Sequence, residues 1–352
     1  MRKNHPNLKM QLNYGGLTDE SGKWNGTIRT VDANLDIPLR VKKPTVWAVW
    51  NDLFHPAVPE GHIDRALAVA ALTECHTYII LTKHPVRMSA YFSVPERRKK
   101  IIFAIAAMGY KAKGGLSYQL NGPGSGTPES KIQCVDDGSL WPLPNVWLGV
   151  TAESNKYLWR IEKLLKIPAA LHVVSYEPAL GPLNLRGNDY DFLEGWEVDV
   201  RESIRSIEDH DPRCDGSCKY CPVEVPVQDY EAVQVQTQRI GWVFAGGESG
   251  PGARPSHPDS FRTVRDDCAA TRTSFLFKQW GEWLPFAPFY PGIIYKDRST
   301  GEIAAVKTDG RTIKTAEWSE DGDFVVARVG KKAAGRLLDG REHNEIPEVA
   351  WK

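Results

Sequence analysis

The sequence predicts an α/β fold built on an incomplete parallel β/α barrel. Strand-like and helix-like segments alternate at least five times, and the strand-like segments are apolar without a period-two polar pattern. Strands have this continuous apolar composition when they belong to a parallel sheet that is buried on both faces. Polar motifs also follow several strands directly, which favours a barrel, because barrel active sites lie at strand ends. An open doubly wound sheet puts ligands on the same side and stays the alternative.

The alternation begins near residue 45. β-branched and aromatic residues favour the strands, and apolar residues three and four apart favour the helices. The predicted strands are 45–50, 76–82, 146–150, 171–175, 242–245 and 275–278. The predicted helices are 63–72, 96–108, 156–165 and 258–270.

Composition shifts along the chain suggest three regions. These are a polar N-terminal segment at 1–40, a barrel-like core at 41–285 and a β-rich module at 286–352. Two interruptions lie within the core. Residues 112–145 are turn-forming and predict a long loop, and residues 184–238 form an acidic, loop-like insertion with thirteen carboxylates against five basic residues.

Composition also excludes several classes of protein. The 352 residues carry 44 basic and 44 acidic side chains, so a globally basic nucleic-acid coat is not expected. No run of 18 apolar residues predicts a membrane helix, and the first residues lack the apolar core of a secretion signal. Six cysteines are too few for a disulfide scaffold. We expect a cytoplasmic protein that does not enter a membrane.

Five predicted strands end in polar motifs. They are Asn51-Asp52-Leu53-Phe54-His55, Thr82-Lys83-His84-Pro85, Thr151-Ala152-Glu153-Ser154, Ser175-Tyr176-Glu177-Pro178 and Gly246-Gly247-Glu248-Ser249-Gly250. If the strands are parallel, these motifs share one rim, as a site for a polar substrate requires. Lys83, Glu153 and Glu177 are therefore the candidate catalytic residues. A single polar residue at a strand end, such as Thr151 or Ser154, has the alternative of capping the next helix or bonding to loop backbone. Three carboxylates at corresponding strand ends, Glu153, Glu177 and Glu248, are harder to explain in that way.

The segment 246–254 is the candidate cofactor-binding loop. Glycines allow a ligand to approach the backbone, and free amides can form an anion nest. The loop lacks the lysine of a P-loop and the glycine spacing of a dinucleotide fingerprint. Its candidate binding residues are Gly246, Gly247, Glu248, Ser249 and Arg254.

Three cysteines and a histidine form the candidate metal site. Cys214, Cys218 and Cys221 have the spacing C-x3-C-x2-C, and His210 precedes them by four residues. Three thiolates and an imidazole complete a tetrahedral zinc site. Three thiolates alone would hold an iron–sulfur cluster like that of radical S-adenosylmethionine enzymes. The position inside an insertion favours zinc, and cysteines without a metal are the third alternative.

Two further patterns have both a functional and a structural interpretation. The run 97–100 (Arg-Arg-Lys-Lys) contacts phosphates or forms a solvated helix face. Trp280 and Trp283 stack a base beneath the site or pack in the core.

Several motifs together resemble the phage gp-thirty-seven/gp-sixty-eight family, a domain of unknown function that is radical-SAM-like. The motifs are Asp52-Leu53-Phe54-His55, Leu81-Thr82-Lys83, residues 144–150, Glu177-Pro178, residues 246–255, residues 277–283 and residues 330–340. Members of that family usually begin with a three-cysteine motif close to C-x6-C-x2-C-Y, whereas the first cysteine here is Cys75.

The resemblance implies an incomplete α/β barrel that binds S-adenosylmethionine at its strand ends. Glu248 with the Gly246-Gly247 backbone would hold the amino-acid part of the cofactor, while Lys83, Glu153, Glu177 and Arg254 would position a substrate, either a nucleic acid or a nucleotide. The alternative is a catalytically inactive, zinc-containing module that binds nucleic acid or a partner protein.

Overall fold

The computed structural model describes residues 15–20, 24–49, 51–113, 138, 141–207, 225–288, 303–314 and 323–348. Its centre is a sheet of six parallel strands that curls into a half-barrel. The strands are β1 (Val46–Val49), β2 (Thr77–Thr82), β3 (Val146–Thr151), β4 (Leu171–Tyr176), β8 (Ile240–Gly246) and β9 (Ser274–Gln279). They lie in the order β1-β2-β3-β4-β8-β9. The predicted parallel, barrel-like sheet is confirmed, and all six strands begin and end within two residues of their predicted bounds.

Helices follow the strands and cover one face of the sheet. They are α1 (Asp32–Leu35), α2 (Glu60–Leu72), α3 (Pro85–Phe92), α4 (Arg97–Lys113), α5 (Leu158–Leu165), α6 (Pro258–Thr271) and α7 (Lys331–Ala334). Short 3-10 turns occupy Pro38–Arg40 and Asn155–Tyr157. The sequence did not predict α1, α3 or α7, which are short, with four, eight and four residues. Pro85 at the first turn of α3 is the usual start for such a helix.

Two apolar clusters lie on opposite faces of the sheet. The larger one joins strand residues such as Leu148 and Val174 to buried residues of the helices, including Leu67 and Phe261. The smaller one, which we call the interior cluster, lies on the other face. It consists of Ile79, Trp147, Leu171, Val173 and Trp242. Burial on both faces explains why the strands lack a period-two polar pattern.

The acidic insertion contains a hairpin, so the expectation of a loop-like segment is wrong. Strands β5 (Tyr190–Asp191), β6 (Trp196–Ile207) and β7 (Val225–Gln236) form an antiparallel sheet of three. Both long strands contain an apolar–polar alternation, at 196–201 and 233–236, which is a strand signal that the search for wholly apolar runs overlooked. Residues 208–224, between β6 and β7, lie outside the described part of the chain.

The C-terminal strands form a separate antiparallel sheet. They are β10 (Trp283–Pro288), β11 (Ile303–Val306), β12 (Thr312–Lys314) and β13 (Phe324–Arg328), in the order β10-β13-β11-β12. The chain then returns to the half-barrel, where the Phe277 amide donates to the His343 carbonyl at 3.0 Å. The Glu345 amide donates to the Phe275 carbonyl at 3.2 Å. This return covers the outer edge of β9.

Candidate functional site

The interior face of the half-barrel changes from apolar to charged along the strand direction. Alternate residues of a strand point to the same face. Every second residue after a member of the interior cluster therefore also faces the interior, up to the end of its strand. At or just beyond the end of five of the six strands, the residue in this series is charged. We call this group the strand-end site, and its residues are Lys83, Glu153, Glu177, Glu248, Arg254 and Lys278, with Arg254 added because it binds Glu248.

Glu153 lies between two cations. The Lys83 ammonium donates to Oε1 at 2.6 Å, and the Arg160 guanidinium donates to Oε2 at 3.0 Å. The Glu153 side chain is 9% exposed, whereas that of Lys83 is 52% exposed. Arg160 also donates to the Thr151 carbonyl at 2.8 Å, which ties α5 to the end of β3. Glu153 is therefore a buried, compensated carboxylate, and Lys83 exposes its ammonium at the mouth of the site.

Glu177 is partly buried, with its side chain 17% exposed, and its cation is more distant than those of Glu153. The Lys278 ammonium donates to its Oε2 at 3.2 Å. Burial raises the pKa of Glu177 above its ordinary value, and Lys278 offsets part of that rise. Gly246 leaves the space for this carboxylate, because a Cβ there would lie 2.6 Å from Oε1. Glu177 thus keeps an affinity for a proton or a further cation.

Glu248 forms the most complete ion pair of the site. Arg254 donates to Oε2 through its amide and its Nε, each at 2.8 Å, and to Oε1 through Nη2 at 2.9 Å. These bonds lower the pKa of Glu248, and the Lys83 charge adds to the effect. Glu248 and then Glu153 raise the pKa of Arg254. The charges of β2, β3 and β8 therefore act on one another across a single mouth.

The glycine loop owes its composition to backbone packing. A Cβ on Gly247 would lie 1.9 Å from the Trp280 carbonyl oxygen, and one on Gly281 would lie 2.0 Å from the Glu248 carbonyl oxygen. Gly281 also has φ +81°, a conformation that favours glycine. The Glu282 amide donates to the Glu248 carbonyl at 2.9 Å. The backbone segments 246–250 and 279–282 therefore pack directly against each other, and the contact requires a glycine on each side.

This packing bears on the predicted anion nest. The Gly247 amide donates to the Gln279 carbonyl at 2.9 Å, and the Gly250 amide donates to the Glu282 carboxylate at 3.0 Å. Ser249 accepts a hydrogen bond from the Gln279 amide group at 3.0 Å. Protein oxygen atoms already satisfy the Gly247 and Gly250 amides, so an anion at this loop would need other donors.

The first strand end forms a polar corner beside a large cavity. Asp52 accepts hydrogen bonds from the Thr82 hydroxyl at 2.5 Å and the Lys83 amide at 3.1 Å, and lies 3.7 Å from His84 Nε2. The His84 and His55 rings meet edge to face at 5.3 Å. The adjoining cavity measures about 960 Å³. Its lining includes Trp24, Ile28, Trp47, Val49, Tyr78 and Ile80, together with this polar corner.

The predicted metal ligands His210, Cys214, Cys218 and Cys221 lie outside the described residues. Within the part of the chain that the structure describes, no cluster of three or more histidine, cysteine or acidic side chains has the arrangement of a metal site. Cys268 is buried, and burial raises the pKa of its thiol, as expected for a cysteine that packs as a small apolar residue.

The basic run at the start of α4 is not a uniform cationic surface. Arg97 is buried, and its guanidinium donates to Asp64 at 3.0 Å and to Glu60 at 2.9 Å. It also lies over the Tyr91 ring at 3.7 Å. The other three residues of the run, Arg98, Lys99 and Lys100, are exposed. Arg97 is thus withdrawn from any phosphate contact.

Trp280 and Trp283 pack in the core. Both are buried, and Trp280 contacts the rings of Phe261 and Phe277. The Trp280 indole donates to the Leu337 carbonyl, and that of Trp283 to the Ala253 carbonyl. Both tryptophans therefore agree with the prediction of core packing and not with that of base stacking.

Sequence reasoning missed two cations of the network. Lys278 directly follows the apolar run 275–277. It is two residues after Leu276, which packs against the interior cluster, so this spacing indicates that Lys278 faces the interior as well. Arg160 carries no such signal, because only the three-dimensional path of α5 brings it to Glu153.

Fold and site define a parallel α/β half-barrel with a network of alternating charges at its strand ends. The chain belongs to a protein family described as "Protein of unknown function (DUF5131)", whose model matches residues 4–347. No curated protein and no solved structure matches the chain. Among the described residues, none of the helices has the length and apolar character to cross a membrane.

Proposed function

We propose that the strand-end site binds a small nucleoside-type ligand that carries both positive and negative charge, and that S-adenosylmethionine is the candidate. The observation that carries this proposal is the convergence of three carboxylates and at least three cations at one mouth of the half-barrel. Charged groups of both signs at the end of a parallel barrel suit a zwitterion.

The amino-acid part of such a ligand has a defined place in this scheme. Its ammonium would bind Glu177, which has one hydrogen-bonded lysine and a pKa raised by burial. Its carboxylate would bind the exposed ammonium of Lys83. Glu248, the residue favoured by sequence analogy, already accepts three hydrogen bonds from Arg254, so it would serve mainly to orient Arg254.

The nucleoside part needs an apolar space, and the cavity beside Asp52 supplies one. Its volume of about 960 Å³ is within the usual range for ligand sites, roughly 300–1,000 Å³. The cavity lies on the helix-covered side of β1 and β2, because its lining residues Tyr78 and Ile80 belong to the larger apolar cluster. Lys83 both lines the cavity and belongs to the strand-end site, so a ligand held at Lys83 would extend around the end of β2 to reach it. Trp47 and Tyr78 give it an aromatic wall.

The resemblance to the phage gp-thirty-seven/gp-sixty-eight family adds radical-SAM-like chemistry as part of this proposal. Beside an iron–sulfur cluster, S-adenosylmethionine supplies a radical that acts on a substrate, here a nucleic acid or a nucleotide. The group at Cys214, Cys218 and Cys221, with or without His210, would hold the cluster or a zinc ion. Metal and acid-labile sulfide content of protein purified without oxygen separates the two: iron with sulfide favours the enzyme, and one zinc per chain favours a structural site.

A second candidate function is a catalytically inactive, zinc-containing module that binds nucleic acid or a partner protein. One observation favours it: each carboxylate of the strand-end site already has a protein cation, so the network is electrostatically complete without a ligand. Zinc without sulfide, together with no affinity for S-adenosylmethionine, is its expected signature.

Isothermal titration with S-adenosylmethionine tests the first proposal. We expect measurable binding that falls roughly 10- to 150-fold in Glu177→Gln and in Lys83→Met, the range of a hydrogen bond to a charged group. Glu342→Gln, at an exposed position on the C-terminal segment, is the matched control and should bind like the wild type. Absence of binding to the wild type, or equal binding by all variants, would refute the proposal.

A further inference from the structure

Two lysines and a tryptophan lie exposed on the helical segment 155–165, which consists of the 3-10 turn Asn155–Tyr157 and α5. Lys156, Trp159 and Lys163 are three and four residues apart, which places them on one side of the helical segment. All three are exposed, and the Trp159 ring is 42% exposed. The opposite side of α5 is buried through Ile161, Leu164 and Leu165. We call these three exposed residues the Lys156 stripe.

The stripe lies beside the strand-end site. Its helix follows the end of β3 after one 3-10 turn, and Arg160 connects the two features. The Arg160 guanidinium donates to Glu153 and lies 5.7 Å from the centre of the Trp159 ring and 4.1 Å from that of Tyr157. A chain that contacts Trp159 is therefore within reach of the mouth of the half-barrel.

An exposed tryptophan flanked by cations is the recognition pattern of single-stranded nucleic acid. Its bases stack on aromatic rings, and its phosphates pair with lysines. Among the described residues, neither Lys156 nor Lys163 has an ion pair. Lys83 and Arg254 add exposed cations at the mouth, and their side chains are 52% and 59% exposed.

We propose that the Lys156 stripe binds single-stranded nucleic acid, with one base stacked on Trp159 and the flanking phosphates on Lys156 and Lys163. This inference rests on the proposed function only in that the bound strand would be the substrate delivered to the strand-end site. It moves the nucleic-acid contact from the run 97–100, where Arg97 is buried, to α5.

Fluorescence anisotropy with labelled 15-residue oligothymidylate and oligouridylate tests this inference on the full chain. We expect salt-dependent binding that weakens roughly 5- to 150-fold in Trp159→Ala, the range for removing one base-stacking ring, and that Trp159→Phe partly restores. The plot of log K against log salt has a negative slope, and Lys156→Gln/Lys163→Gln should reduce its magnitude by about 1.4. Each phosphate that a lysine no longer neutralises reduces that magnitude by about 0.7. Glu162→Gln, which removes a neighbouring exposed carboxylate, should strengthen binding.

The matched controls are Phe103→Ala for an exposed ring and Arg98→Gln/Lys99→Gln for two exposed cations, all on α4. Each should bind oligonucleotide like the wild type. Stripe variants indistinguishable from these controls, or no oligonucleotide binding by the wild type at low salt, would overturn the inference. Because Trp159→Ala should still bind S-adenosylmethionine, failure of this inference is distinguishable from failure of the proposed function. Preference for one oligonucleotide would separate DNA from RNA as the ligand.

Discussion

Replacing Arg97 with methionine tests whether the basic run serves the fold or a ligand. Arg97 is 1% exposed and donates to the Asp64 carboxylate, to the Glu60 carboxylate and to the Tyr91 carbonyl. Methionine keeps most of the side-chain volume but removes the charge and all three donors. Among the described residues, the Asp64 side chain, itself 11% exposed, then keeps the Tyr91 hydroxyl as its hydrogen-bond partner.

The size of the effect follows from the exposure of the two carboxylates. Glu60 is 53% exposed, so its pair with Arg97 contributes little, about 0–1 kcal/mol. Asp64 is buried, and leaving a buried carboxylate without its cation costs about 3–5 kcal/mol. We therefore expect Arg97→Met to lower the free energy of unfolding by about 3–5 kcal/mol.

Urea unfolding followed by circular dichroism and tryptophan fluorescence measures this change. Arg98→Met is the control; it is exposed and should change the free energy by less than about 0.5 kcal/mol. Asp64→Asn in the Arg97→Met background should recover part of the loss, because it removes the buried charge. A loss below about 1 kcal/mol for Arg97→Met, or an equal loss for Arg98→Met, would refute the reasoning.

Three further predictions concern stability. Gly247→Ala forces a Cβ to within 1.9 Å of the Trp280 carbonyl and should lower the melting temperature, whereas Gly61→Ala, with nothing within 4 Å, should not. Asn145→Leu removes the amide group that donates to the Ala70, Thr73 and His76 carbonyls; the first two keep a backbone amide donor, so the cost in urea unfolding should be about 1–3 kcal/mol. Hydrogen bonds from two arginines lower the pKa of Asp339 from 3.8 to about 2. The ionised carboxylate therefore contributes fully to the free energy of unfolding above pH 3.8, and this contribution is lost as pH falls towards 2. Melting temperatures recorded across that window should show a smaller acid-induced fall in Asp339→Asn than in the wild type.

The sheet could be predicted because its strands are short apolar runs separated by helical patterns. The charged strand ends could be predicted for the same reason, since Lys83, Glu153, Glu177 and Glu248 each follow such a run. Their pairing could not, because it depends on the curl of the sheet and on register. The β6–β7 hairpin escaped prediction because its strands alternate apolar and polar residues, as in 196–201 and 233–236, and only wholly apolar runs were taken as strands.

Two motifs were informative for a reason other than the predicted one. The glycines of 246–250 suggested a ligand loop, yet Gly246 makes room for Glu177 and Gly247 for the Trp280 carbonyl. Close backbone approach and ligand approach select the same residue type, so spacing alone does not separate them. The buried Arg97 is a similar case, since a run of cations does not reveal which member has a buried partner.

If the strand-end charges recognise a zwitterionic nucleoside, two nucleosides that differ in charge should bind this chain with different affinities. Isothermal titration of the wild-type chain with S-adenosylmethionine and with 5′-methylthioadenosine, which lacks the amino-acid part, separates charge recognition from burial of the nucleoside. We expect S-adenosylmethionine to bind at least about tenfold more tightly, the minimum for one hydrogen bond to a charged group, and Glu177→Gln to remove most of this difference. Equal affinity for the two ligands, or affinity for neither, would contradict this expectation.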